Sequence, residues 1–259
     1  MMDGFHLYCV ANDARVLARD LQNSPEIADR SVPLTVLWNE ASASSAYGRA
    51  IDTAEADYLV FAHQDIYFPR GWFARLAGAL EHLSQIDDRW AIAGLFGVTH
   101  DGSFIGHVWD SGFGRVCGEP FAEPVRAASL DEIVLIVRRG ANVGFDVTLP
   151  CFHLYGTDIV LSAETSGRTA YIIDLPAIHN AKPSRRLGPD YAAAYRFMVR
   201  KWHNRLPWPT TILPLSRNPT RLAVRRLGIW YEAVIRAPPP FNQLPDPAAK
   251  ARELGFEAL

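Results

Sequence analysis

The chain has 259 residues, 49% of them hydrophobic and 21% charged, with a formal net charge of −2; this is ordinary globular usage and excludes a disordered, collagenous or small disulfide-stapled chain. Apolar runs such as residues 133–137 fall far short of the roughly 18 residues a membrane-spanning helix needs. Residues 1–10 lack the basic start and long apolar region of a signal peptide, so a cytoplasmic protein is expected. Cys9, Cys117 and Cys151 are odd in number and far apart, which points to buried free thiols rather than a disulfide framework or thiolate zinc site.

Phe5–Ala11 reads as a strand, followed by a helix in which Val16, Leu17 and Leu21 recur until Asn23-Ser24-Pro25 stops it. Leu34–Trp38 is a second strand. Ser42 or Ser44 caps a helix bearing Ala46, Ala50, Ile51 and Ala54, and Tyr58–Ala62 is a wholly apolar strand of the kind buried on both faces. After Pro69-Arg70-Gly71, a helix carries Trp72, Phe73, Leu76, Leu80 and Leu83 at a 3.6 period, and residues 90–98 supply a fourth strand. This alternation predicts an α/β fold, a mainly parallel Rossmann-like sheet with helices on both faces. Residues 100–118, rich in glycine and aromatics, suit strands and loops, and residues 132–138 form another apolar strand. A helix over 156–166 ends at Gly167, a strand covers 170–174, and a helix over 189–202 aligns Tyr191, Tyr195, Met198 and Trp202. The remainder is a basic amphipathic helix near 220–235, a Pro238-Pro239-Pro240 stop and a loosely held tail. The expected organisation is an α/β domain over 1–181 and a basic helical extension over 182–259, packed on or next to it.

That extension is uneven in charge: residues 182–236 hold twelve Lys and Arg against Asp190 and Glu232. Such an excess fits a diphosphate, an acidic lipid surface, nucleic acid or a solvated helical face. Nucleic acid ranks lowest, because no recognised module interleaves base-stacking aromatics with these cations. The helix near 220–235 places Arg221, Arg225 and Arg226 among Leu222, Leu227, Ile229, Trp230, Val234 and Ile235. It either packs its apolar face on the core or lies on an anionic membrane.

Ligands of open parallel sheets bind beyond the carboxyl ends of the strands. The first strand ends in Ala11, Asn12 and Asp13, the second in Asn39 and Glu40, the third in His63, Gln64 and Asp65. No glycine follows the first strand, so a dinucleotide fingerprint is absent, as are a P-loop and a G-x-S-x-G elbow. Asp65, closing an apolar strand, either caps the turn before Pro69 or holds a divalent ion that bridges phosphates. Asp158 opens a later helix, and His179 follows the next strand.

The ordered set His63-Gln64-Asp65, Gly156-Thr157-Asp158 and Ile178-His179 resembles GT-A glycosyltransferases, especially bacterial family 2-like members, over roughly residues 5–180. The resemblance implies a GT-A-like fold and a metal-dependent, inverting transfer of a sugar from a nucleoside diphosphate sugar to a saccharide or lipid-linked acceptor. Asp65 matches the last acid of the D-x-D motif and His179 the late histidine, together holding Mn²⁺ or Mg²⁺, while His63 stands where the first acid usually lies. Asp158 matches the general base. Ala11, Asn12, Asn39, Glu40, Tyr47, His63 and Gln64 fall on the donor side, with Tyr47-Gly48 where the family often has Arg-Asn. Trp109, Asp110, His153 and Tyr155 are candidates for an acceptor pocket. A binding module that kept the scaffold without turnover is the alternative, prompted by the non-acidic His63.

Overall fold

Three apolar runs form the parallel half of the central sheet: β1 (Phe5–Ala11), β2 (Leu34–Trp38) and β3 (Tyr58–Ala62), with β1 between the other two and parallel to both. The computed structural model describes residues 4–182, 187–235 and 242–257; Arg185, Arg186, Arg236 and the Pro238-Pro239-Pro240 stop lie outside them. The crossovers are short helices, α1 (Ala14–Arg19) and α2 (Pro25–Ala28) before β2, and α3 (Ala43–Thr53) before β3. Ser42 caps α3 by accepting from the Ser45 amide, while its own hydroxyl donates to the Leu149 carbonyl at 2.7 Å. That bond ties the segment around residue 150 to the start of α3.

β4 (Ile66–Tyr67) leads to α4 (Trp72–Ile86), whose stripe of Trp72, Phe73, Leu76, Leu80 and Leu83 is buried against β1 and β3 residues in one layer of the core. The run over 90–98 divides at Leu95 into β5 (Trp90–Gly94) and β6 (Phe96–Val98), which belong to different sheets. Gly97 lets the Ser129 strand lie close beside β6: a Cβ there would stand 2.4 Å from the Ser129 carbonyl oxygen. β7 (Phe104–Asp110), β8 (Arg115–Gly118), β9 (Val125–Arg126) and β10 (Ser129–Leu130) follow. β11 (Val134–Arg138) then inserts antiparallel between β3 and β5.

α5 (Tyr155–Thr165), β12 (Thr169–Ile172) and β13 (Ala177–His179) complete the core, giving a seven-stranded sheet β2-β1-β3-β11-β5-β12-β9 and a second sheet β10-β6-β7-β13-β4 with β8 on β7. α6 (Pro189–Lys201) buries Tyr191, Ala192, Ala194, Tyr195 and Met198 in the layer that also holds α3 and α5 residues. α7 (Arg221–Ile235) and α8 (Pro247–Glu253) follow. The last described residues are not a loose tail. Ala251 of α8 and Phe256 are buried against Tyr67 and Ile178, because small and aromatic side chains there cover the second sheet. Among the described residues no helix is long and apolar enough to cross a membrane.

Candidate functional site

The carboxyl ends of β1, β2 and β3 open onto a cleft with about 600 Å³ of open space, lined by Val10, Ala11, Asn12, Asn39, Glu40, His63, Gln64, Asp65 and Phe152. Polar strand-end groups converge there beside the apolar Phe152 ring, the lining a small-molecule site has. Gln64 braces the rim. Its carbonyl oxygen accepts from the Asn12 and Asp13 amides, at 3.0 Å each, and its amide donates to Asn12 Oδ1 at 2.8 Å. Glu40 pairs with Arg49 at 2.8 Å, and Asn39 adopts the left-handed conformation with φ 54°, which turns the chain at the end of β2. Phe152 has no sequence signal; the Ser42–Leu149 tie brings its segment to the rim.

At one end of the cleft, His63, Asp65 and His179 present ligand atoms that all lie within 4.8 Å of one another. Strand register assembles them. β3 carries His63 and Asp65 to its end, and β13 pairs antiparallel with β4, which sets His179 opposite Ile66. Asp65 Oδ1 lies 3.5 Å from His179 Nε2 and 3.9 Å from His63 Nδ1.

The outer nitrogen of each imidazole has its own partner. His179 Nδ1 lies 2.8 Å from Asp110 Oδ2. β7 and β13 are parallel, with His179 opposite Asp110, so the two side chains share one face. His63 Nε2 lies 3.3 Å from the Tyr155 hydroxyl, which donates to the Glu132 carbonyl. With that proton committed, the Tyr155 oxygen accepts from His63 Nε2–H, leaving the His63 Nδ1 lone pair toward Asp65. Both rings thus turn their inner nitrogen toward one carboxylate while the outer nitrogen is held, the arrangement outer partners impose on metal-ligating histidines. Ligands about a divalent ion stand roughly 3 to 4.5 Å apart. This donor set of one carboxylate and two imidazoles contains no thiolate and suits a first-row divalent ion such as Mn²⁺ better than the oxygen-seeking Mg²⁺.

The electrostatics agree. Burial opposes ionisation of Asp65, but His179 and His63 outweigh it and hold the carboxyl well below the usual carboxylate range. Burial likewise opposes charge on His179, yet Asp65 and Asp110 push its pKa up to about 10. A proton and a divalent ion therefore compete for His179 Nε2. Burial lowers the His63 pKa against the pull of Asp65, which favours the neutral ligand form.

Several expected residues lie elsewhere. Tyr47 is buried beneath the strand ends, its hydroxyl accepting from the Val10 amide at 3.2 Å and its ring against Phe61, Phe145 and Tyr155. It supports the floor rather than lining the cleft. Trp109 points to the face opposite Asp110, as strand alternation requires, and lies under Lys250 of α8. Asp110 orients His179 instead of lining an acceptor pocket. His153 packs edge-on against Tyr191, and Tyr155 is a buried support for His63. Asp158, expected as the base, is 1% exposed and faces α6, with Lys201 Nζ 2.8 Å from Oδ1 and Trp202 Nε1 donating to Oδ1 at 2.7 Å. Burial raises its pKa, and the Lys201 partnership works against that rise. The cause of this placement is close packing: a Cβ at Gly156 would stand 2.4 Å from the Leu130 carbonyl oxygen, and Thr157 shares a buried 2.7 Å bond with Ser129. The start of α5 is therefore sealed against β10.

Glu132, which the sequence did not single out, is buried beside the α5 start with Oε1 accepting from the Gly156 amide. Burial, reinforced by Asp131, pushes its pKa up to about 8.

The molecule superposes on the mannosyltransferase PcManGT from Pyrobaculum calidifontis, solved with GDP-Man and Mn²⁺, with a TM-score of 0.51 and 11% identity, over 99% of this chain and 81% of that one. The chain has a GT-A fold. GalNAc-T7, solved with UDP, GalNAc and Mn²⁺, is more distant, with a TM-score of 0.46 and 12% identity over 89% of this chain and 56% of that one. In sequence, the chain is 29% identical over 211 residues to the protein named ATP synthase subunits region ORF 6 of Fuscovulum blasticum, spanning 75% of this chain and 77% of that one. No family model matches. On the GT-A fold, the cleft and the His63-Asp65-His179 cluster occupy the carboxyl edge of the parallel strands, where such sheets bind ligands.

Proposed function

We propose that the protein is a glycosyltransferase that takes a nucleoside diphosphate sugar and transfers its sugar to an acceptor hydroxyl. The observation that carries this is the convergence of Asp65 and His179, with His63 as third donor, beside a cleft at the strand ends. The GDP-Man and Mn²⁺ of the mannosyltransferase that shares the fold support the same ligand class. Asp65, His179 and His63 would hold Mn²⁺ or Mg²⁺, and the bound ion would neutralise charge on the departing diphosphate. Asn12, Asn39 and Glu40 offer hydrogen bonds to nucleoside and sugar, with Ala11 leaving room beside them. Gln64 fixes Asn12, and the exposed Phe152 ring provides an apolar surface at the rim.

Direct attack by the acceptor hydroxyl would form the new glycosidic bond as the sugar–diphosphate bond breaks, inverting the anomeric centre as the family resemblance implies, with the hydroxyl proton passing to the departing diphosphate or to water. Asp158, held by Lys201 and Trp202, acts in this account as a packing residue. A second reading, donor binding without turnover, is favoured by that sequestered carboxylate. Release of free nucleoside diphosphate from a panel of UDP-, GDP-, CDP- and dTDP-sugars with Mn²⁺ tests the proposal. Metal-dependent release from at least one donor is expected; binding without release across acceptors and metals would establish the second reading.

A further inference from the structure

Outside the cleft, the most unusual surface of the molecule is α7. Its Leu222 is buried in the core, and then the helix turns an apolar face outward: Val224, Leu227, Trp230, Tyr231, Val234 and Ile235 are each between 57% and 66% exposed. At 100° per residue these side chains fill one arc of about 140° on the helix. Leu222, buried in the core, and Ile229, half-buried, project from the other side. Arg226 borders one edge of the apolar arc, and Arg221 and Arg225 lie beyond the other edge. Glu232 is paired with Arg225 at 3.4 Å, and Arg221 and Arg226 have no carboxylate within ion-pair distance among the described residues. A soluble surface does not ordinarily present so many contiguous large apolar groups.

We infer that α7 is a membrane-docking helix that lies in the plane of an anionic lipid surface, its apolar arc among the acyl chains and its arginines against the headgroup phosphates. Length fits this orientation: 15 residues rise about 22 Å, short of a hydrocarbon core of about 30 Å. Charge selects the occupant. An apolar stripe flanked by arginines on both sides complements an acidic headgroup layer. The inference stands independently of sugar transfer, since it rests on a helix remote in sequence from the cleft residues.

Co-sedimentation of the full chain with lipid vesicles tests it, using phosphatidylcholine alone and phosphatidylcholine containing about 30 mol% phosphatidylglycerol. Pelleting with the anionic vesicles and not the neutral ones is expected, with the partition coefficient falling about tenfold between about 50 mM and about 500 mM NaCl. Leu227→Glu with Val234→Glu should abolish pelleting, and Arg221→Glu with Arg226→Glu should remove its salt-sensitive part; circular dichroism checks that both variants keep their helix content. No pelleting with anionic vesicles at low salt would overturn the inference. So would pelleting that neither variant changes, or a dimer dissolved by Leu227→Glu with Val234→Glu in the absence of vesicle binding, which would assign the face to a second copy.

Discussion

Replacing Asp110 by Asn perturbs the proposed metal cluster without replacing any of its three donors, Asp65, His63 and His179. Asp110 Oδ2 lies 2.8 Å from His179 Nδ1, and the carboxylate side chain is only 17% exposed, so the bond is charge-assisted and sheltered. Asn preserves the shape and can still accept from Nδ1–H, but it removes the charge that makes Nε2 a stronger donor. Loss of such an outer partner weakens metal binding by about 10- to 100-fold, or about 1.4 to 2.7 kcal/mol. The pH dependence carries more information. Asp110 stabilises a proton on His179 as well as an ion, and in the wild type that proton leaves only near pH 10. At about pH 7 the variant's weaker hold on the competing proton offsets part of its weaker hold on the ion. Nearer the wild-type pKa the offset shrinks, so the deficit should widen between about pH 7 and about pH 8.5. Calorimetric titration with Mg²⁺ and Mn²⁺ at both values measures this. Equal affinities for variant and wild type at both would refute the assignment of His179 as a ligand oriented by Asp110.

Glu132→Gln tests the buried carboxyl: with a pKa raised from 4.5 to about 8, Glu132 contributes stability that is complete below about pH 4.5 and lost as pH rises through about 8. The Gln variant should therefore gain on the wild type in melting temperature between pH 5 and 8, roughly the window those values set, and parallel melting curves would contradict this. Asp158→Ala leaves Trp202 Nε1 without its acceptor and should cost about 2 kcal/mol, read as a lower melting temperature. Asp158→Asn with unchanged stability, unchanged donor affinity and transfer reduced about 10²-fold would instead restore it as a base. Gln64→Ala removes the three bonds that fix the Asn12 turn, so nucleotide affinity should fall with little change in melting, measured by calorimetry alongside a thermal scan.

The first three strands were legible to the residue because each is a short, mostly apolar run closed by polar residues; β3 is almost wholly buried, whereas β2, at the sheet edge, is only half-buried. The antiparallel insertion of β11 was not, since an apolar run carries no record of its direction or of which distant strands will flank it. Among the cluster, Asp65 and His63 stand out as polar residues abruptly ending β3. The pairing of His179 with Asp110 depends on a register across 69 residues, which local pattern cannot reveal. Asp158 misled for a related reason: an acid in the first turn of a helix looks the same whether it meets solvent or the lysine of another helix. Trp109 and Asp110 are adjacent in sequence, and only the pleat separates one into the α8 contact and the other into the cluster. Leu222 explains the half-correct reading of α7, for it packs on the core as one expectation required while the remaining apolar arc does not.

The central claim is that Asp65 anchors the ion through which the cleft holds a diphosphate, and titration of nucleoside diphosphates into Asp65→Ala tests it most directly. Binding is measured by calorimetry with and without Mn²⁺, against the wild type, with a melting curve for each protein. The account predicts that Mn²⁺ strengthens wild-type binding of at least one nucleoside diphosphate, and that this strengthening disappears in a variant that still folds. Metal-enhanced binding that persists unchanged in folded Asp65→Ala would contradict it.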